Sequence, residues 1–290
     1  MDMTKQQLIK FAMEQGFDDI RFAAANDMTE KNNLQQPHAL LGSATCIVVL
    51  FAAYRPAAPP PQGHMALSAY YIASHASYHA ARTVAEYLKQ NGANALHTTA
   101  IDAKQAALRT GGFMGDNGFY YHPCLGSFVC IQTVLTNLCE PCDYEKGDSH
   151  CLHCGACTVA CPSNAAGDLQ NCLRYHINGT VPELLRGDVY QLIGCERCQS
   201  ACPLNDDAQS KPVHFALEEL LSGAATTEVR NIAGPNMARR GRLISQGALY
   251  AAATGQTQLR EKLKQLAQNE AEPIRTHALW AIDKLSGEDK

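Results

Sequence analysis

Two compact runs of cysteine constrain this chain more than any other feature: Cys151-x-x-Cys154-x-x-Cys157-x-x-x-Cys161-Pro162 and Cys195-x-x-Cys198-x-x-x-Cys202-Pro203. Twelve of the thirteen cysteines lie between Cys124 and Cys202, so the thiols gather where a bound inorganic core would organise the polypeptide. A cubane of iron and sulfide needs four thiolates around a small centre, and Cys-x-x-Cys turns present successive sulfurs on one side of a tight loop. In two-cluster ferredoxins the cysteine preceding the proline crosses to the other cluster. The spacing therefore assigns Cys151, Cys154, Cys157 and Cys202 to one 4Fe-4S cluster, and Cys161, Cys195 and Cys198 to a second.

The second set is one thiolate short, because Gln199, Ser200 and Ala201 stand where a third closely spaced cysteine would fall. Cys172 lies between the two runs, in a segment with apolar residues at helical spacing, and a helix beginning near Asp168 would aim it back toward Cys161. Zinc sites draw their ligands in pairs from well-separated knuckles, which the tight run from Cys151 to Cys161 fits poorly. Disulfide frameworks belong to small secreted chains, which this is not. Cys139-x-x-Cys142 is read as an extra metal pair, a redox dithiol or buried thiols; Glu140, Asp143 and Glu145 beside it would raise a thiol pKa and argue against a reactive nucleophile. Cys46, Cys124 and Cys130 read as core or near-core residues.

A chain of 290 residues has room for two or three domains. A formal net charge of −4 gives no global argument for nucleic-acid binding, so any such contact would rest on a local basic patch. The N-terminus lacks the apolar core of a signal peptide and no apolar run is long enough to span a membrane, so the expectation is a cytoplasmic protein without a membrane partner.

Thr4-x-x-Gln7 has the form of a capping box ahead of a first helix ending near Gly16. Phe17–Phe22 and Cys46–Tyr54 read as strands, the second a continuous apolar run of the kind found in a sheet covered on both faces. A long helix over 68–90, a short one over 103–109, a sharp glycine turn over 111–118 and a strand over 128–135 follow. After Ser210 the apolar stripes of 213–221, 243–253, 259–267 and 274–285 predict four helices resembling HEAT-type repeats. The fold class is thus α+β, with an α/β domain over 1–136, a ferredoxin-like double 4Fe-4S module over 137–207 and a helical tail over 208–290. Arg239, Arg240, Arg242, Arg260, Lys262, Lys264 and Arg275 make that tail locally basic, either to meet phosphates or as solvated helix faces.

The order of parts resembles the epoxyqueuosine reductase family of cobalamin-dependent iron-sulfur enzymes, and more distantly the reductive dehalogenases. The resemblance is carried by the run Cys151 to Pro162, the Asn171–Tyr175 segment, the run Gly194 to Asn205, the Gly-rich turn from Ala106 to Asn117, the strand entry Gly126-Ser127-Phe128 and the ending Ile274 to Ile282. It implies a nitroreductase-like N-terminal domain, Cys172 as the completing ligand of the second cluster, and a corrinoid beside Gly112, Gly115, Asn117, Gly126 and Ser127. Electrons from a reductase, ferredoxin or flavodoxin would pass through two clusters to cobalamin, which would remove oxygen or halogen from a tRNA or small-molecule substrate.

The family's acidic proton donor, followed by a proline and a Glu-Arg pair, has no direct counterpart here; the corresponding stretch runs from His97 to Lys104. Asp102, Lys104 and His97 are the candidates for proton transfer. A competing class is a two-cluster electron carrier that has lost the corrinoid and docks a partner reductase through its tail.

Overall fold

The computed structural model describes residues 4–28, 34–138, 144, 150–164 and 166–287. The Cys139, Cys142 pair and its acidic neighbours lie outside the described residues. The chain divides into two compact units, 1–54 with 73–153, and 55–72 with 154–290.

Helix α1 (Lys5–Glu14) opens on the expected capping box: Thr4 Oγ1 accepts from the Gln7 amide, and the Thr4 amide donates to Gln7 Oε1. It buries Leu8 and Ala12, and Phe11 stacks on Tyr87 with ring centroids 3.9 Å apart. Strand β1 (Asp19–Ala24), helix α2 (Pro37–Leu40) and strand β2 (Cys46–Ala53) follow. The chain next contributes β3 (His64–Ala66) to the second unit and enters α3 (Ala69–Gln90), which begins there and continues in the first. Strand β4 (Ala95–Thr98), helix α4 (Ala103–Leu108), the two-residue strands β5 (Phe113–Met114) and β6 (Tyr120–Tyr121), and β7 (Val129–Thr136) complete the first unit.

Its main sheet has the order β1-β2-β7-β4, and every pairing in it is antiparallel. The apolar run of β2 led us to expect a strand covered on both faces, and Cys46 to Phe51 are indeed fully buried. Alternate side chains point to opposite faces of a strand, so both faces of β2 are packed. Such a run marks a central position in a sheet and says nothing of strand direction, which is why an alternating helix-strand layout did not reveal the antiparallel order. One face carries Ile47, Val49 and Phe51 against Ala106, Ala107 and Tyr120. Cys46 and Cys130 lie in the core as expected; Cys124 is exposed, a correction, because it sits in the bend after β6 instead of within a strand.

The second unit holds α5 (Ala156–Ala160), α6 (Leu173–His176), α7 (Arg197–Ser200), β8 (His214–Ala216), α8 (Leu217–Ser222), α9 (Thr226–Ala233), α10 (Arg240–Ala253), α11 (Arg260–Leu266) and α12 (Glu272–Gly287). Two expectations are corrected. Residues 213–221 do not form one helix, because 214–216 pair antiparallel with β3 and only the remainder is helical; a strand partner some 150 residues away leaves no trace in local periodicity. Asp168 does not start a helix, because its carboxylate accepts from the Gln170 amide and Asn171 Nδ2 in a turn, and α6 begins only after Cys172.

Leu173, Ile177, Val181, Leu185, Leu192 and Ile193 share one core with Leu243, Ile244, Leu249, Leu263, Ala278 and Leu285. The cysteine-bearing segment therefore draws its apolar support from the C-terminal helices. Buried polar groups fix the join. Gln246 Oε1 accepts from the Ile193 amide at 2.7 Å and its Nε2 donates to the Ile177 carbonyl at 2.9 Å. Gln246→Leu leaves both backbone groups unpaired and should cost about 2–4 kcal/mol, read as a lower urea midpoint; an unchanged midpoint would count against this role.

His277 is fully buried in α12; its Nε2 accepts from the Val181 amide, so Nδ1–H donates to Ser245 Oγ and the ring is neutral. Burial, followed by the nearby Arg186 charge, pushes its pKa down to about 4. The unfolded ring titrates near 6.5, so between these values the unfolded chain binds a proton that the folded chain refuses. The stabilisation is complete above about pH 6.5 and is lost as pH falls toward 4. Between pH 7 and pH 5 this group should remove about 2 kcal/mol, and His277→Gln should abolish that part of the pH dependence.

Candidate functional site

The cysteines occupy the ends of short helices. Gly155, in the left-handed region at φ 72°, precedes α5 and lets the chain reverse between Cys154 and Cys157. Cys161 closes α5, Cys172 immediately precedes α6, and Cys195 and Cys198 bracket the start of α7. The charge of Cys172 and Cys161 raises the pKa of the Cys195 thiol, and that of Cys195, Cys172, Cys161 and Cys157 raises that of Cys198. Three separate segments thus bring Cys161, Cys172, Cys195 and Cys198 together, with Cys157 close to Cys198. The grouping of Cys151, Cys154, Cys157 and Cys202 continues to rest on their spacing.

Burial pushes the Cys195 thiol up to about 11 against the opposing Arg197 amide and charge. Burial and then the neighbouring sulfurs push Cys198 up to about 12. Thiolates that raise one another's pKa repel one another, and a cationic metal core relieves the repulsion, so the donor set fits one. Around a single tetrahedral zinc, thiolate sulfurs sit about 3.8 Å apart. Among the described residues no three of these sulfurs lie within 4.8 Å of one another.

A shell absent from the cysteine pattern supports the turn at Cys195. Glu196 is buried; its Oε1 accepts from Ser68 Oγ at 3.0 Å and its amide donates to Tyr190 Oη at 2.8 Å. Arg197 Nη1 meets Asp188 at 2.6 Å, and Arg174 stacks 4.3 Å from the Tyr70 ring centre. A Cβ at Gly194 would press on Ser68 at 2.8 Å, so this glycine is dictated by packing.

In the first unit the glycine turn forms the β5–β6 hairpin. Asn117 and Ser127 are buried, and the Asn117 side chain donates to Tyr121 Oη and accepts from the Phe119 amide. A Cβ on Gly112 would strike the Tyr121 carbonyl and the Tyr120 ring, and one on Gly115 would strike the Tyr121 ring. Gly126 exchanges backbone hydrogen bonds with His122. Gly112, Gly115 and Asn117 thus also meet the packing and hydrogen-bonding needs of the turn itself. Arg21 Nη1 and Tyr120 Oη donate to the carbonyls of Thr110 and Gly111, and Asp19 joins Arg21 and His122, a strap that sequence reading missed because its parts are distant in the chain.

The three proton-transfer candidates also have structural partners. The Asp102 carboxylate accepts from the Gln105 amide as the cap of α4. Lys104 Nζ donates to the Gly118 carbonyl at 2.6 Å and lies over the Phe119 ring. His97 Nε2 pairs with Gln132 Oε1 at 3.0 Å, and burial holds its pKa below the usual range, so the ring is neutral at pH 7.

Residues 148–167 and 193–209 match the family described as 4Fe-4S binding domain, which defines the class as an iron-sulfur protein. An epoxyqueuosine reductase of Staphylococcus aureus is 29% identical over 66% of this chain and 56% of its own length; one of Lactococcus garvieae is 28% identical over 66% and 60%. The chain spans little more than half the length of these curated relatives. A solved epoxyqueuosine reductase bound to an epoxyqueuosine-modified tRNA stem loop superposes with a TM-score of 0.81 over 97% of this chain and 90% of its own, at 22% identity, and so shares the mixed α/β fold. Over about two thirds of its length the chain is thus similar in sequence to epoxyqueuosine reductases. No described helix is long and apolar enough to cross a membrane.

Proposed function

We propose that this chain is an iron-sulfur reductase of the epoxyqueuosine reductase type, carrying two 4Fe-4S clusters that pass single electrons from a ferredoxin, flavodoxin or reductase toward an acceptor, for reductive removal of oxygen or halogen from a substrate. The observation that carries the proposal is the convergence of Cys161, Cys172, Cys195 and Cys198 from three segments, within a fold shared with epoxyqueuosine reductases. The clusters supply one-electron chemistry when bound. The chain's own part is to hold eight thiolates and to bury the Cys195 turn against Ser68 and Tyr190.

Cobalamin as the acceptor, and a tRNA as the substrate, are the finer parts of the proposal. Cobalamin rests on the family resemblance, and tRNA on the stem loop held by the similar solved structure. The arginines of the tail lend the tRNA little support: Arg240 donates to the Ser222 carbonyl, Arg242 to those of Asn236 and Met237, Arg260 to that of Leu285, and Arg275 to those of Asn269 and Glu270. They serve carbonyls at helix ends and turns.

A second reading, a two-cluster electron carrier, is favoured by the engagement of Asp102, Lys104 and His97 in the scaffold. Anaerobic titration of the cluster-loaded protein with cobalamin separates the two. Stoichiometric conversion to a base-off spectrum supports the reductase; an unchanged spectrum with clusters intact supports the carrier.

A further inference from the structure

Beside the cluster signatures lies a triad that neither the cysteine spacing nor the comparisons assign. The ligand atoms of Asp116, Cys151 and His153 all lie within 4.8 Å of one another. Both carboxylate oxygens of Asp116 are 3.0 Å from His153 Nδ1. Asp116 comes from the β5–β6 turn and the other two from the start of the cysteine run, so all three belong to the first unit. All three retain partial or full solvent access, which leaves a path for an ion.

We propose that, before cluster assembly, Asp116, Cys151 and His153 form a mononuclear divalent metal site suited to Zn²⁺. Sulfur, imidazole nitrogen and carboxylate oxygen are the three donor types zinc accepts, and three protein ligands leave a fourth position for water. The charges balance: one thiolate and one carboxylate against a dication, with the imidazole neutral. Zinc takes the place of the hydrogen between His153 Nδ1 and Asp116, whose proton moves to Nε2, and the Cys151 thiol releases its proton to solvent. Cys151 is also the first ligand assigned to a cluster, so the ion and that cluster exclude one another at this sulfur. The metal site itself does not depend on the reductase reading.

The test is zinc binding by the full-length, cluster-free protein under reducing conditions, with Co²⁺ as spectroscopic reporter, comparing wild type with Asp116→Asn and Asp116→Glu. Asp116 lies outside the proposed cluster ligands, and Asp116→Asn keeps its shape. The expected result is that Asp116→Asn removes one zinc equivalent or weakens it about tenfold or more, changes the Co²⁺ d–d bands, and is partly rescued by Asp116→Glu. Identical zinc stoichiometry, affinity and Co²⁺ spectrum in wild type and Asp116→Asn would overturn the proposal. So would a loss confined to His153→Ala, which would assign the ion to a site without the carboxylate. Failure of any cluster to form on later reconstitution would count against the reductase reading and leave the zinc result standing.

Discussion

Cys172→Ala is expected to remove about half of the protein's iron after anaerobic reconstitution, because one of the two proposed four-iron clusters loses its fourth thiolate. Cys172 is separated in sequence from both runs, and yet its charge raises the pKa of Cys195 and Cys198 in the folded chain. Cys161, which the crossover assigns to this cluster, also acts on both Cys195 and Cys198. Cys46→Ala, in the core of the first unit, is the control and should leave the iron content unchanged. Wild-type iron in Cys172→Ala would remove Cys172 from the ligand set, whereas loss of all iron would mean that the two sites assemble only together.

Gly112→Ala should destabilise the first unit by about 2–5 kcal/mol, the sum of a left-handed backbone penalty and overpacking against neighbours that cannot move. Gly112 has φ 80°, and its missing Cβ would run into the Tyr121 main chain, not merely into a flexible side chain. Gly92→Ala separates the two contributions, since Gly92 has φ 86° but lies in a helix-ending turn outside that hairpin. Calorimetry should show Gly112→Ala as the more damaging substitution. Equal losses would mean that the hairpin yields to the added methyl, and that this glycine is free to face a ligand.

What the sequence disclosed follows from the range of the forces involved. The Thr4 capping box, helix α3, helix α4 and the apolar strand β2 rest on local periodicity and local hydrogen bonds, and all are legible in short stretches of chain. The pairing of His64–Ala66 with His214–Ala216 is not, because a three-residue strand has no periodicity and its partner is remote. The same holds for the site. Cysteine spacing is local and marked the thiols, and the gap after Cys198 pointed to Cys172. The structural partners of Asp102 and Lys104 were not legible, because a helix cap and a lysine bound to a carbonyl use the same residue types as a proton relay. The Gly-rich turn likewise answers to Tyr120 and Tyr121, which follow it in the hairpin and pack into it. Glu196, buried between two cysteines, carried no signal of its own until Ser68 and Tyr190 were seen beside it.

The proposed function requires two 4Fe-4S clusters in this chain. Its most direct test is the iron and acid-labile sulfide content of the anaerobically reconstituted wild-type protein, read together with the paramagnetic spectrum of the reduced sample. About eight irons and eight sulfides per chain, with signals of interacting reduced clusters, are the result predicted here. About four irons per chain, or zinc in their place without sulfide, would contradict it.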